Sequence, residues 1–462
     1  MTIFSDFRER SDTKPTARSL ERFLSERIRS GSLEAGTRLP PVREAAWQIG
    51  CAPGTVARAY QALTSRGLAH GEVGRGTFIG EAASSLGLPL TAARDACTAG
   101  MSVNSFLMEA PDALLEDALA QVAKRAGAGR ISLSYQPEAG PLSDREAALP
   151  FLSRWCDALT PEDIVLTAGG QACLAAAFAS LVAPGSGIAC DALTYPGVIS
   201  AAAVNDVRLY PVTMDRWGMI PEALEELCRR QSISLLAVMP SVQNPTGVAM
   251  PAERREAIAG IAARHGLTVI EDEVYGFLRP PAGESFSRLL PDSTVLVTSL
   301  AKCIAPALRV GYAAGPGPLV RRIAAAQNAM LLMISPLLTA SAAHILKSEA
   351  FEKRILTLTD GVRKRAAYVA GAFANTDYDA MTGGLAWLKL PEAWEADVFA
   401  SEAEALGVKV SPGRYFAVEA RSAPNAVRLS LGAVSGEERF RKAIDTIAGL
   451  AAKPYATLPV TP

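Results

Sequence analysis

The hydrophobic period of this chain changes near residue 100, and that change limits the folds open to it. Up to residue 80, apolar residues recur at helical spacing in short bursts. Leu20, Phe23, Leu24 and Ile28 form one stripe that Gly31 ends. Val42, Ala45, Ala46 and Ile49 form a second that Gly50 breaks; Val56, Ala59, Tyr60 and Leu63 form a third that Gly67 ends. The last two predict a helix-turn-helix, and HGEVGRGTFIG (70–80) predicts a β-hairpin wing. Beyond residue 100, β-rich runs take over at IVLT (164–167), VRLYPV (207–212), LLAVMPS (235–241), LTVIEDE (267–273) and TVLVTS (294–299), with helical stretches such as 251–265 between them. Such alternation predicts an α/β fold whose mostly parallel sheet is covered on both faces. Residues from about 340 onward predict a smaller C-terminal α+β lobe.

Between the two grammars lies EAASSLGLPLTAARDACTAG (81–100), rich in Ala, Ser and Gly and without an aromatic residue, as a linker would be. The expected domains are therefore 13–80, a linker over 81–100, and 101–455. Charge divides the same way. Residues 1–80 carry 12 Lys+Arg against 8 Asp+Glu, a net of +4, so the remainder carries −5 of the overall −1. A basic head on an acidic body suits a molecule that meets phosphates at one end.

Other classes are disfavoured. Seven scattered cysteines (51, 97, 156, 173, 190, 228, 303) include no C-x-x-C pair, and only His70, His265 and His344 are present, so neither a metal site nor a disulfide framework is expected. The start, MTIFSDFRERSDTKP, lacks an apolar signal core. The uncharged stretches 164–190 and 323–346 are broken by Gly, Pro, Gln and Asn, so no membrane span is expected. The expected location is the cytoplasm.

In a helix-turn-helix the second helix enters the major groove with its first residues near base edges. Here that helix opens at Pro53, and Thr55 and Arg58 lie off its apolar stripe, facing outward. Arg43, early in the preceding helix, is placed for a backbone phosphate. Arg75, between Gly74 and Gly76, is placed for a minor groove. Each arginine would serve equally well as an ordinary surface residue. The stretch TRLPPVREAAWQIGCAPGTVARAYQALTSRGLAHGEVGRGTFIG resembles the winged helix-turn-helix of GntR-type regulators, which implies double-stranded DNA as a partner. Ala52 departs from that pattern, standing where a capping Ser is usual.

In the body, several chemistry-bearing residues follow predicted strands, where open α/β sheets place ligands. Gly169-Gly170-Gln171 precedes a helical stretch whose first N–H groups would hold a phosphate, and Ser299 and Arg309 would add contacts to it. Lys302 supplies an amine, Asp272 a carboxylate, and Tyr275 and Asn244 hydrogen-bond donors; Tyr195 offers an aromatic face. Pyridoxal 5'-phosphate (PLP) demands this set: an amine for its aldehyde, an acid for its ring nitrogen, donors for its 3'-oxygen and a phosphate cradle. Singly, each has a plainer reading, such as a surface Lys, an N-capping Asp, a half-buried Tyr or a turn.

The order GGQ, TYPG, NPTG, D-x-x-Y, S-x-x-K, R-x-G-Y resembles the aminotransferase-like, fold-type I PLP superfamily. The resemblance implies that Lys302 is the Schiff-base lysine carrying an internal aldimine and Asp272 the ring-nitrogen partner. It implies Asn244 and Tyr275 at the 3'-oxygen, Tyr195 as the stacking ring, and Gly170, Gln171, Ser299 and Arg309 at the phosphate. It further implies that Arg428, in VRLSLG, clamps an effector or substrate carboxylate, and that Tyr135, in SYQPEAG, serves a neighbouring subunit's phosphate, hence a homodimer. A sulfonate would suit Arg428 as well. Gly170 and Ala301 stand where hydroxyl residues are common.

A GntR-type head on such a body resembles the MocR-like regulators. That implies a PLP-dependent transcription regulator sensing PLP or an amino compound. Two alternatives stay open: a working aminotransferase with a DNA-binding head, and a DNA-binding protein whose body only dimerises.

Overall fold

The structure is a computed structural model. It describes residues 3–4, 7, 15–29, 32–33, 36–65, 68–72, 76–79, 99–102, 113–279, 284–374, 378–379, 384–419 and 422–452. Two compact units are present, a head within residues 1–90 and a body that holds nearly all of the remainder.

The head has three helices, α1 (Ala17–Arg29), α2 (Val42–Ile49) and α3 (Pro53–Ser65), then a hairpin of Ala69–Glu72 with Gly76–Ile79. Every member of the three predicted stripes is buried except the half-buried Val42. At about 1.5–3 kcal/mol per large apolar side chain, this small core is what holds the helices together. Gly50 ends α2 in the left-handed conformation (φ 75°), and its N–H donates to the Ala46 carbonyl. Arg38 bridges Phe78, so a short extended piece lies beside the hairpin.

The body is built on a seven-stranded sheet. In chain order its strands are β1 (Ile164–Thr167), β2 (Gly187–Asp191), β3 (Leu209–Val212), β4 (Ile233–Val238), β5 (Thr268–Asp272), β6 (Thr294–Ser299) and β7 (Gly311–Ala314). Their spatial order is β1-β7-β6-β5-β4-β2-β3. All pairings are parallel except the two made by β7. Alternate residues go to opposite faces. Val269 packs toward helices Pro221–Arg230 and Ala252–His265, whereas Ile270 packs toward Gly170–Leu181, Pro196–Val204 and Gly317–Leu331. Burial on both faces explains why the strands are near-continuous apolar runs.

The C-terminal lobe is an antiparallel four-stranded sheet of Tyr378–Asp379, Leu385–Lys389, Ala426–Ser430 and Ser411–Pro412. Helices Glu349–Ala372, Ala396–Ala405 and Glu437–Ala451 pack around a core that includes Trp394, Phe399, Phe440 and Ile444. Ala99 and Gly100, placed in the linker by composition, instead pair as a short parallel strand with Val408–Lys409. Among the described residues no helix is long and apolar enough to cross a membrane, and no cluster of metal-ligating side chains occurs.

Candidate cofactor pocket and DNA-reading face

The parallel strands point their C-terminal ends at one region, and the loops leaving them carry the candidate residues. Gly169 caps the helix Gly170–Leu181 with φ 82°. A Cβ at this position would lie 2.8 Å from Arg309 Nη2, so only glycine lets the guanidinium approach the helix start. Arg309 itself holds a left-handed backbone and donates from Nη2 to the Ala168 carbonyl at 3.0 Å. An exposed cation therefore stands beside free helix N–H groups, an arrangement suited to a phosphate.

Gln171 donates to the Gly197 carbonyl at 2.9 Å, while its Oε1 is buried without a partner. A Cβ at Gly197 would lie 2.1 Å from both Gln171 Oε1 and the Tyr195 ring, which puts those two side chains side by side. Burial pushes the Tyr195 phenol up to about 12, reinforced by the Asp272 charge and opposed by Arg309 and Arg428.

Asp272 closes β5. Its Oδ1 accepts from the Val274 N–H at 3.1 Å. Burial raises its carboxyl to about 6, against the Val274 hydrogen bond and the Lys302 charge. Lys302 lies beyond β6, with Nζ 5.8 Å from the Tyr275 ring centroid. Desolvation lowers its amine to about 8, helped by Arg428 and Arg309 and opposed by Asp272. Its exposure is intermediate by area, yet the surrounding protein removes enough water to make desolvation the largest effect. Ser299, the last residue of β6, is buried opposite Gly311.

Asn244 is 1% exposed and follows β4 in a cis Asn244–Pro245 peptide. Its Oδ1 accepts from Arg428 Nη1 at 2.9 Å, and its Nδ2 is buried with no partner. An orphaned buried donor costs about 1–3 kcal/mol, so a ligand acceptor is expected to satisfy it. Arg428, 5% exposed, lies over the Phe416 ring at 4.7 Å. Burial lowers its guanidinium to about 10, opposed by its neighbours Tyr275 and Tyr195.

Lys302, Asp272, Tyr195, Tyr275, Asn244, Arg309 and Arg428 thus form one cluster linked by hydrogen bonds, a ring contact and mutual electrostatics. Gly170 approaches it through Val274, whose Cγ2 lies 3.3 Å from where a Gly170 Cβ would be. Tyr135 is set apart from the pattern by being 76% exposed. Phe416, the Val274 N–H and the Ser102 carbonyl, which accepts from Arg428 Nη2, have no motif signal and were missed by sequence reasoning. Contact with a recognisable arginine is the only feature that singles out two of them.

The chemistry of this donor set fits PLP. The cluster supplies an amine with a lowered pKa, a buried acid, an orphaned amide donor, an aromatic face and a cationic helix start.

On the head, Arg43 and Arg58 are exposed and Thr55 is half-buried. Arg58 Nε donates back to the Gly54 carbonyl at 3.2 Å, across the first turn of α3. Arg75 lies outside the described residues. Trp47 is 82% exposed on α2, one helical turn beyond Arg43.

Residues 99–447 match the model of aminotransferase class I and II, and residues 16–79 match that of the bacterial regulatory proteins of the gntR family. An uncharacterized HTH-type transcriptional regulator of Bacillus subtilis, YdeF, is 30% identical over 438 residues, covering 93% of each chain. The pyridoxine biosynthesis transcriptional regulator PdxR of Corynebacterium glutamicum is 28% identical over 381 residues, 78% of this chain and 81% of that one. An archaeal alanine:glyoxylate aminotransferase superposes with a TM-score of 0.70 at 25% identity, covering 77% of this chain and 90% of that one. The chain belongs to the MocR-like group of GntR-type transcription regulators, in which a helix-turn-helix head is joined to a fold-type I aminotransferase body.

Proposed function

We propose that the protein is a cytoplasmic, homodimeric transcription regulator that holds PLP at Lys302 and senses PLP itself or a small amino compound there. When bound, PLP supplies an aldehyde that condenses with primary amines and an electron-withdrawing ring. Lys302 Nζ provides the competing amine, and its lowered pKa keeps a reactive fraction unprotonated. Asp272 holds the ring nitrogen's proton, and that positive charge would return its carboxyl to the ionised form. Asn244 Nδ2 and Tyr275 donate to the 3'-oxygen, and Tyr195 covers the ring face. The Gly170 helix start, Gln171, Ser299 and Arg309 take the phosphate, joined by Tyr135 of a second subunit. Arg428 receives the effector's carboxylate or sulfonate. In the head, Thr55 and Arg58 meet bases, Arg43 a phosphate and Arg75 a minor groove.

The observation that carries this reading is the convergence of the desolvated Lys302 amine, the buried Asp272 carboxyl and the orphaned, buried Asn244 donor. Genomic footprinting with purified protein, with and without PLP, tests it. Protected sites whose occupancy changes with PLP, or with an amino compound added to the PLP-loaded protein, are expected; occupancy indifferent to both would refute the sensing role.

A second reading, a working aminotransferase, draws on the same cluster, because it contains the groups a transamination half-reaction uses. Steady multiple turnover with an amino donor and an oxo-acid, without specific DNA binding, would favour it.

A further inference from the structure

Two of the three guanidinium nitrogens of Arg428 are engaged, and the third has no partner. Nη1 donates to Asn244 Oδ1 at 2.9 Å. Nη2 donates to the main-chain carbonyl of Ser102. Nε is buried with no partner. In a guanidinium, Nε and Nη2 share one edge, and that edge is the side-on fork that grips a carboxylate through two parallel hydrogen bonds. The Ser102 carbonyl thus engages Nη2, one of the two nitrogens of that edge, while the other, Nε, is left unsatisfied.

That carbonyl is also held by Ser411 Oγ at 3.0 Å, and Ser411 pairs with Arg428 across the antiparallel lobe sheet. Residues 99–102 are the first described residues after 80–98, so in sequence they directly follow the stretch leading from the head. Ala99 and Met101 are buried in the lobe core, and main-chain bonds tie the segment to the lobe as well. The Ala99 N–H donates to Gly407 and the Met101 N–H to Lys409, each at 2.8 Å, and the Met101 carbonyl accepts from Ser430 at 2.9 Å. An anionic acceptor forms a stronger, charge-assisted bond to a guanidinium than a peptide carbonyl does.

We propose that an effector's anionic group takes the Nε/Nη2 edge of Arg428 by displacing the Ser102 carbonyl, so that ligand binding loosens the 99–102 segment at the start of the body. This rests on the effector site described above and adds its route of regulation. Arg428 keeps its Asn244 bond throughout, so the pocket is preserved while the segment is released. An amine without an anionic group leaves Ser102 in place and transmits nothing, because a ligand shifts an equilibrium only through its differential affinity.

The test uses two adducts that differ by one carboxylate, N-(phosphopyridoxyl)glycine and N-(phosphopyridoxyl)methylamine, bound to the full-length apoprotein. Hydrogen exchange is read at the Ala99 and Met101 amides. At least severalfold faster exchange with the glycine adduct than with the methylamine adduct is expected. If both bind and the rates are equal, the coupling is wrong while the cofactor site stands. If neither binds, the site itself is misread and the coupling falls with it. Ser411→Ala gives an independent check, because it removes one of the two donors on the Ser102 carbonyl. It should tighten the glycine adduct by about two- to tenfold and leave the methylamine adduct unchanged. Unchanged or weaker glycine-adduct binding would overturn the proposal.

Discussion

The head and the body keep their candidate functional side chains in opposite environments. Arg43 and Arg58 are exposed, whereas Asn244, Asp272 and Arg428 are buried. Contacts that an exposed arginine makes to phosphates are salt-screened and exchangeable. A buried set behaves differently: desolvation moves the Lys302 amine to about 8 and the Asp272 carboxyl to about 6, toward the range where small changes in surroundings alter charge. Under the proposed function, the head would bind reversibly through surface electrostatics and the body would respond to one ligand of defined shape.

The sharpest way to break this comparison is Lys302→Ala. It should abolish the borohydride-reducible PLP adduct while leaving basal DNA affinity in place. Equal reduction of labelled PLP onto the variant would remove Lys302 from its role. The reverse case is Arg58→Ala, which should weaken binding to a specific DNA site by roughly 1–3 kcal/mol, about 5- to 150-fold, with PLP absorption intact. Arg43→Ala should lower affinity more evenly across sequences and reduce the slope of log K against log salt by about 1. Unchanged binding across a salt series would place both residues outside the DNA contact.

A third test exploits the amine's titration. Only unprotonated Lys302 attacks an aldehyde, and with its amine at about 8, about one-tenth is unprotonated at pH 7. PLP attachment to the apoprotein should therefore accelerate about tenfold per pH unit below pH 8 and level off above it. Stopped-flow absorbance measures this; acceleration continuing to pH 10 would mean that burial does not depress the amine. The smallest effect belongs to the head. Ala52→Ser should restore a cap at the start of α3 and stabilise the head by about 0.5–2 kcal/mol, read as a later unfolding transition in the full-length protein. No shift would mean that the Ala52 position does not act as the cap.

Legibility in the sequence followed the same division. The three helical stripes and all five quoted β-runs became helices and strands because their apolar periods match what burial requires. β2 and β7 were not read. Their sequences, GIACD and GYAA, include two and three Gly or Ala residues respectively, which carry little strand preference, and both strands are held by neighbours on either side. Composition also placed Ala99 and Gly100 in the linker, because a two-residue strand depends on a partner at 408–409 that no local pattern announces. In the pocket, residues within motifs were legible. The Ser102 carbonyl, the Val274 N–H and the Phe416 ring were not, since main-chain groups have no residue signature and Phe416 meets Arg428 only through the fold.

The central claim is that one amine joins this body to PLP. Borohydride reduction of the PLP-loaded protein, followed by peptide mass mapping, tests it most directly. A phosphopyridoxyl mass on the peptide containing Lys302 is expected. The same mass on a different lysine, or on none, would contradict it.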